Sequence, residues 1–403
     1  MGKQFCAGLA AVCGLMMLLS AALRAQEPMA LQVLPAEHKV IQDARTGARL
    51  TFLTTHPGSD LNFYFHEHSW LADSSMILFT SARFGDSCLM GYLTATGELV
   101  RLRTPAGNLS SATAAIDRPS VYGLRSGEIV ELALKIEISR DPVAVPSKVW
   151  GRERVLAKVP AGAVGALNPN SDGQKLAFGQ MEKGKPAQIL TVDTGSGEIR
   201  SVCTLPPGLD FAYHVQWSHT NPFLLSFAAM RPRLNVVDIR DGKILHPYLE
   251  WDQELVTHEH WWGEDQLVFC GGVHPKPTED AHVKVVHIRT GQVRILGAGS
   301  WWAGATPEGI SKWNHWHCSG SDDGRWVASD NWHGDITLFE GRTTRPRLLT
   351  QGHRTYGKGD HPHVGWDRRG EQVIFASHLL GDPNVCVATI PEAMQKENPT
   401  ARR

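Results

Sequence analysis

The stretch VKVVHIRTGQVRIL, from Val283 to Leu296, reads as two β-strands joined by a tight turn. Apolar and polar residues alternate on both sides of Thr290-Gly291, and a glycine accepts the positive φ that a short hairpin turn needs. Repetition of one such unit along a chain indicates an array of similar β elements. Three further segments repeat the pattern: LMGYLTATGELVRLR from Leu89, ILTVDTGSGEIRSV from Ile189 and RLNVVDIRDGKIL from Arg233.

A second recurring unit precedes most of these hairpins. It runs from a short start through a polar turn into a strongly apolar strand. Together with the hairpin it gives about four strands over roughly 45–50 residues, which is the size of a propeller blade. The sequence therefore predicts an all-β, seven-bladed β-propeller. Six units begin at His66, Gly165, His214, His258, His315 and His361, and a weaker seventh begins at Val121.

The two ends of the chain predict how the ring closes. DARTGARLTFLT, from Asp43, resembles the second half of a hairpin, and the last unit ends at VCVATI without a final strand. We expect the N-terminal strand to join the last blade, which leaves no open sheet edge. This predicts one propeller domain over residues 43–393, an N-terminal extension at 26–42 and a disordered tail at 394–403. A β-sandwich or a second small domain is the alternative, although no linker of suitable composition divides the chain.

The N-terminus has the composition of a targeting segment. A short basic start, Met1-Gly2-Lys3, precedes an apolar stretch from Leu9 to Leu23 and then Arg24-Ala25-Gln26. This pattern predicts a signal peptide over residues 1–25 and a periplasmic or secreted protein. An uncleaved anchor helix is the alternative. No other stretch is long and apolar enough to span a bilayer, so no stable membrane insertion is expected after cleavage.

Composition and motifs exclude several classes of protein. The net charge is −1 and no run of Lys or Arg appears, which argues against a nucleic-acid partner. The five cysteines after the signal have no C-x-x-C spacing, and most of them are expected to be buried as small apolar residues. His258-Glu259 begins like a zinc-protease helix, but Trp262 stands where the second histidine would be. The 13 tryptophans fit both carbohydrate-handling proteins and large β folds.

Histidines recur at nearly the same place in five of the units, where the innermost part of a blade begins. Equivalent positions of different blades converge on the central channel, so these residues predict a ring of imidazoles. Neutral imidazole is a common metal ligand and a general base near neutral pH. The alternative, favoured for His66, His68 and His214, is a hydrogen bond to the backbone of a neighbouring blade. The set is His66/His68, His214, His258/His260, His315/His317 and His361/His363.

Several of these stretches resemble the oligogalacturonate lyase family of seven-bladed propellers. The resemblance covers most of the chain after residue 43. The matching stretches are Asn62 to Leu102, RLNVVDIRDG at Arg233, THEHWWGEDQLVF at Thr257, HWHCSGSDDG at His315 and HPHVGWDRRGEQVIFAS at His361.

The resemblance implies a Mn²⁺ ion, or another divalent cation, held by three histidines and a glutamine. The histidines correspond to His317, His361 and His363, with His315 as the alternative to His317. Lys358 occupies the position of the glutamine. Lysine is a poor metal ligand at neutral pH, so Lys358 is a candidate to bind a substrate carboxylate, or Asp360 or a water takes the fourth position.

The resemblance also implies the reaction, a β-elimination on a uronate oligosaccharide. His258 corresponds to the catalytic base and Arg233 to the essential arginine. Trp316, in a Trp-rich third of the chain, and Arg83, in the first unit, are further candidates for substrate binding. The Trp301–Trp316 segment is a candidate substrate-covering loop. A non-catalytic propeller that binds a glycan or a protein is the competing hypothesis.

Overall fold

The computed structural model describes residues 27–209, 211–273, 281–297, 314–353 and 361–397. The predicted signal peptide, Lys358, Asp360 and most of the Trp301–Trp316 segment lie outside these ranges. Within them, no helix has both the length and the apolar character needed to cross a membrane.

The chain folds into seven antiparallel sheets, the blades of a β-propeller. Four short strands come first and join three different blades: β1 (Met29–Ala30), β2 (Gln32–Leu34), β3 (Lys39–Gln42) and β4 (Arg49–Phe52). Blade 1 continues with β5 (Asp60–Leu61), β6 (Met76–Ser81), β7 (Cys88–Leu93) and β8 (Leu99–Arg101). Blade 2 follows with β9 (Ser110–Ala114), β10 (Ser120–Arg125), β11 (Glu128–Glu137) and β12 (Lys148–Lys158).

The next three blades have four strands each. Blade 3 contains β13 (Ala163–Pro169), β14 (Lys175–Gln180), β15 (Gln188–Asp193) and β16 (Ile199–Thr204). Blade 4 contains β17 (Tyr213–Trp217), β18 (Leu224–Ala228), β19 (Leu234–Asp238) and β20 (Lys243–Leu245). Blade 5 contains β21 (Thr257–Trp262), β22 (Gln266–Gly271), β23 (His282–His287) and β24 (Val293–Ile295).

Two blades complete the ring. Blade 6 contains β25 (His315–Gly320), β26 (Trp326–Asn331), β27 (Ile336–Glu340) and β28 (Pro346–Thr350). Blade 7 contains β29 (Gly365–Trp366), β30 (Gln372–Ser377) and β31 (Asn384–Thr389), and the short helix α1 (Glu392–Glu397) follows it. The prediction of an all-β, seven-bladed propeller is confirmed.

The N-terminal strands close the ring as predicted. β4 pairs with β31 in blade 7, where Phe52 lies opposite Cys386, and β3 pairs with β4 at the outer edge. The predicted start of the propeller at residue 43 is too late, however. β1 pairs with β12 and β2 pairs with β8, so residues 29–42 supply outer strands to blades 1, 2 and 7. Short polar-apolar segments of two to four residues give too little periodicity to be recognised as strands in the sequence.

The predicted disordered tail also begins too early, because residues 394–397 belong to α1. Its acidic first turn and basic last turn complement the helix dipole. Nη2 of Arg347 lies 2.5 Å from Oε2 of Glu397 and ties the helix to blade 6. Residues 398–403 lie outside the described ranges.

The core lies between adjacent blades, and several of its clusters contain a buried indole ring. Nε1 of Trp261 donates to the carbonyl of Gln216 in blade 4, and Nε1 of Trp366 donates to the carbonyl of Ser319 in blade 6. Trp262 is also buried, against Cys318 and other side chains of blade 6. Trp262 and Trp366 thus pack between neighbouring blades. Trp261 is fully buried as well and is not available to stack on a sugar.

The cysteines of the described residues behave as the sequence predicts. All five are buried free thiols without a disulfide. They are Cys88, Cys203, Cys270, Cys318 and Cys386.

Candidate functional site

A recurring bulge positions the histidines at one end of the central channel. In blades 4, 5 and 6 the pairing register of the inner strand shifts at the histidine positions, between Tyr213 and Gln216, between Thr257 and His260, and between His315 and Cys318. An extra residue in one strand bends it and turns a side chain toward a new direction. We call this end of the propeller, where the inner strands begin, the site face.

The backbone at three of these histidines adopts an uncommon conformation. The φ angles of His214, His258 and His363 are 48°, 54° and 49°. Left-handed backbone is rare for residues with a side chain, costs about 1–3 kcal/mol, and is found more often at functional sites than elsewhere. Because three such residues lie at one end of the channel, we infer that the backbone of the fold sets the orientation of these imidazoles.

Three imidazoles come together as a candidate metal triad. His317, His361 and His363 each offer a ring nitrogen, and these nitrogens all lie within 4.8 Å of one another. The ring centroid of His317 is 5.3 Å from that of His361 and 4.5 Å from that of His363. Burial, together with His317, lowers the pKa of His363 to about 3, so this ring is neutral and keeps a lone pair for a ligand bond.

Asp330 fixes the orientation of His317. One carboxylate oxygen accepts from the backbone N–H of His317 at 2.7 Å, and the other lies 2.8 Å from Nδ1. A carboxylate only accepts, so Nδ1 carries the proton and Nε2 presents its lone pair to the triad. Three imidazoles with an outer carboxylate partner fit a divalent transition metal that retains open coordination positions.

His258 lies directly beside the triad. Its ring centroid is 4.1 Å from that of His317 and 4.9 Å from the nearest ring of Trp316. Burial, together with the imidazoles of His317 and His214, holds the pKa of His258 well below its usual value. His258 is therefore a neutral imidazole that can accept a proton.

A buried carboxylate organises the neighbouring part of the site. Oε1 of Glu259 lies 2.8 Å from Nδ1 of His214, and Oε2 accepts from Nε of Arg233 at 3.2 Å. Burial raises the pKa of Glu259, but Arg233 and His214 outweigh this effect and hold the pKa well below its usual value. The ionised Glu259 thus fixes the direction of both side chains.

A loop from blade 1 fills the centre of the channel. The ring of Phe65 is buried between His258 and His317, with centroids 5.8 Å from each. Next to it, the ring of Tyr64 lies 4.8 Å from His363 and 5.4 Å from His214. Tyr64 therefore places a phenol between the triad and the Arg233 side of the site.

Most of the predicted site residues that the structure describes lie together. Arg233, His258, His317, His361 and His363 lie at one site, and Trp316 is half-buried at its edge.

Two predicted residues do not belong to this site. His315 is fully buried and lies against Phe339, and burial lowers its pKa to about 3, so His317 is the histidine of blade 6 that faces the triad. Nη2 of Arg83 lies 2.8 Å from both Glu37 and Asp60, and its Nε donates to Ser81. These pairs consume the guanidinium, so the assignment of Arg83 to substrate binding is corrected to a structural role.

Four residues of the site were missed or underrated in the sequence. His214 was expected to be structural, and Tyr64, Glu259 and Asp330 were not proposed. Glu259 had one available signal, since it follows a candidate base in the chain. The bulge that turns His258 and Glu259 in different directions has no counterpart in the residue pattern.

Replacement of Asp330 by asparagine is expected to weaken divalent-metal binding about 10- to 100-fold. The two His317 groups bond to different oxygens of Asp330, and asparagine replaces one of these oxygens by an NH2 group that donates, so one of the two bonds is lost. Calorimetric titration with Mn²⁺ measures the change. Asp323→Asn, at the far end of the same blade, is the matched control. An unchanged affinity in a folded Asp330→Asn variant would show that the pair does not orient a ligand.

Known proteins resemble this chain in fold rather than in sequence. No family model and no curated protein matches it. Among solved structures, an oligogalacturonate lyase in complex with manganese superposes with a TM-score of 0.71 at 18% identity, covering 91% of this chain and 100% of the other. An oligogalacturonate lyase from Vibrio parahaemolyticus gives a TM-score of 0.70 at 15% identity, with the same coverage.

A propeller of another class is more distant. The WD40 domain of Neurospora crassa Pan2 gives a TM-score of 0.52 at 14% identity, covering 87% of this chain and 98% of that domain. The two oligogalacturonate lyases thus score higher and cover slightly more of this chain. The chain has the seven-bladed propeller fold of the oligogalacturonate lyases.

Proposed function

We propose that this protein is a lyase that cleaves oligogalacturonate or a related uronate oligosaccharide by β-elimination. The observation that carries the proposal is the neutral imidazole of His258 beside a triad of imidazoles, with their ring centroids 4.1 Å apart at His317. A base and an electrophilic centre at this separation match the demands of proton abstraction next to a carboxylate. The structural similarity to oligogalacturonate lyases, one of them a manganese complex, supports the same assignment.

The chemistry starts at C5 of the uronate, whose proton is weakly acidic because C5 is bonded to the carboxylate carbon. A divalent cation bound by His317, His361 and His363 would neutralise that carboxylate and stabilise the charge that develops on it. His258 takes the C5 proton on a ring nitrogen. The electron pair of the C5–H bond forms the C4–C5 double bond, the C4–O bond breaks, and the leaving oxygen takes a proton from water.

Arg233 supplies fixed positive charge on the other side of the site. Its guanidinium is held by Glu259, and its backbone N–H donates to Oε1 of Glu250 at 2.9 Å. A preorganised cation of this kind stabilises negative charge without reorganising during the reaction. The elimination needs no nucleophilic side chain, and no water molecule is added across the cleaved bond. This fits a site built mainly from histidines.

The proposed activity is tested directly by incubating the purified protein with Mn²⁺ and a panel of uronate oligosaccharides. A 4,5-unsaturated product absorbs in the ultraviolet, so a rising absorbance is the expected result. No absorbance with any uronate, together with no bound metal by elemental analysis, would overturn the lyase assignment and favour a non-catalytic glycan- or protein-binding propeller.

Location in the periplasm or outside the cell stays a proposal that rests on residues 1–25.

A further inference from the structure

Blade 4 presents a group of exposed apolar side chains on the site face. Tyr213, at the start of β17, pairs with Ala228 at the end of β18, and Ala228 pairs with Leu234 at the start of β19. The loop between β18 and β19 therefore leaves blade 4 on the site face. The connection from β20 to β21 returns to the same face, because it leads into Thr257 and His258.

Four residues of these segments form what we call the blade-4 ridge: Tyr213, Met230, Leu249 and Trp251. Their exposed fractions are 42%, 68%, 67% and 72%. A cluster of large exposed apolar groups is uncommon on a soluble protein and marks a binding surface more often than chance. Isolated exposed residues need no explanation, so the case depends on their being held together and close to the site.

Contacts between the two loops hold the ridge together. Nη2 of Arg231 donates to the carbonyl of Glu250 at 3.0 Å, which joins the loop of Met230 to that of Leu249 and Trp251. The ring of Phe211 stacks on Tyr213, with centroids 5.6 Å apart and an angle of 24°. The bond between Arg231 and Glu250 thus brings the chain neighbours Met230, Leu249 and Trp251 close together, and Tyr213 lies beside them because it pairs with Ala228 at the start of the same loop.

The indole of Trp251 stands on a fixed backbone. Its carbonyl accepts from the N–H of Glu254 at 2.9 Å, and its own N–H donates to the Glu254 carboxylate at 3.3 Å. Glu254 is anchored by Nζ of Lys284 at 2.5 Å and by the hydroxyl of Tyr248 at 2.7 Å. Because the backbone is already ordered, only the side chain of Trp251 loses freedom when a ligand stacks on it.

The ridge is continuous with the proposed catalytic residues. Glu250 lies between Leu249 and Trp251 in the chain, and its Oε1 accepts from the backbone N–H of Arg233. The side chain of Arg233 then reaches Glu259 inside the site. A sugar chain whose reacting ring lies at His258 and Arg233 can therefore extend directly onto the ridge.

The charge beside the ridge suits an anionic sugar. Nη2 of Arg231 lies 3.0 Å from Oδ1 of Asp252, whose side chain is almost fully exposed. Exposed ion pairs contribute little free energy, so a uronate carboxylate can replace Asp252 as the partner of Arg231 at small cost.

From this arrangement we propose that the blade-4 ridge is a distal subsite for a uronate oligosaccharide, with Trp251 stacking on the apolar face of a sugar ring and Arg231 pairing with its carboxylate. This inference rests on the proposed function for the identity of the sugar. It goes further by giving the protein a preference for chains longer than a disaccharide.

Binding of galacturonate oligomers from two to six units tests the proposal. Calorimetric titration of the full-length His258→Ala protein avoids turnover, and wild-type protein with a metal chelator serves as a second background. Longer oligomers are expected to bind more tightly than the dimer. Trp251→Ala should remove most of this gain in affinity with length. The affinity for the hexamer should fall at least about tenfold, and the affinity for the dimer should stay unchanged. Trp150→Ala in blade 2 and Arg240→Ala at the far end of blade 4 are matched controls for the indole and for Arg231→Ala.

The possible outcomes separate this inference from the proposed function. If Trp251→Ala retains the full gain with length, the subsite is wrong even when wild-type protein produces the ultraviolet signal. If wild-type protein shows that signal but binds the dimer and the hexamer equally, the subsite is again wrong. Failure of the protein to bind any uronate overturns both. Loss of the length dependence in Trp251→Ala and Arg231→Ala, but not in the controls, supports the ridge as a subsite.

Discussion

Replacement of His258 by alanine is expected to lower the rate of uronate elimination about 10²–10⁴-fold, the usual contribution of a positioned general base. His258 is the neutral imidazole nearest the triad, and burial keeps it unprotonated. Alanine removes the proton acceptor and leaves the imidazoles of the triad in place. Initial rates of ultraviolet absorbance at saturating substrate measure the effect on kcat.

His287→Ala is the matched control for this experiment. His287 belongs to the same blade, at the end of β23 opposite Gln266, and is remote from the site face. Its replacement should leave the rate within about twofold of wild type, as expected of a residue outside the chemistry. A His258→Ala protein that retains wild-type kcat would exclude His258 as the base and require another proton acceptor, for which His214 is a candidate.

Replacement of His363 by alanine is expected to abolish stoichiometric metal binding and the elimination with it. Only two imidazoles of the triad remain. The metal affinity should therefore fall by more than the roughly 10- to 100-fold expected when only an outer partner of a ligand is removed. Elemental analysis of the purified variant and calorimetric titration with Mn²⁺ give the metal content and the affinity. The His287→Ala protein should bind metal like wild type.

Two results for His363→Ala would contradict this prediction. A variant that keeps one metal ion per chain, with unchanged affinity, would show that His317, His361 and His363 are not the ligand set. A variant that loses the metal but retains the full rate would separate metal binding from catalysis, and the charge of Arg233 would then have to stabilise the developing anion alone.

The fold was predictable because each blade repeats its hairpin pattern, so errors in one unit are corrected by the others. The site was predictable in part for the same reason. His258, His317, His361 and His363 occupy equivalent places in their units, and equivalence in sequence becomes proximity when a ring closes. The short strands before residue 43 have no such repetition, and their pairing with three blades was not visible.

The parts of the site that escaped prediction depend on backbone geometry. A register shift of one residue decides whether His258 or Glu259 faces the channel, and side-chain type alone does not encode it. Arg83 illustrates the reverse error. An arginine next to a strand end looks available in the sequence, but two acidic residues distant in the chain, Glu37 and Asp60, bind it.

The pairing of β4 with β31 also bears on how this chain acquires its structure. Thr51 pairs with Val387, so the last blade cannot form until residue 387 has been synthesised. Contacts between residues so far apart in sequence raise the contact order and slow folding. Until they form, the edges of β31 and β4 are open to pairing with other chains. A chain that is released before β31 is made, or that has lost β4, is therefore expected to aggregate rather than to persist as a six-bladed fragment.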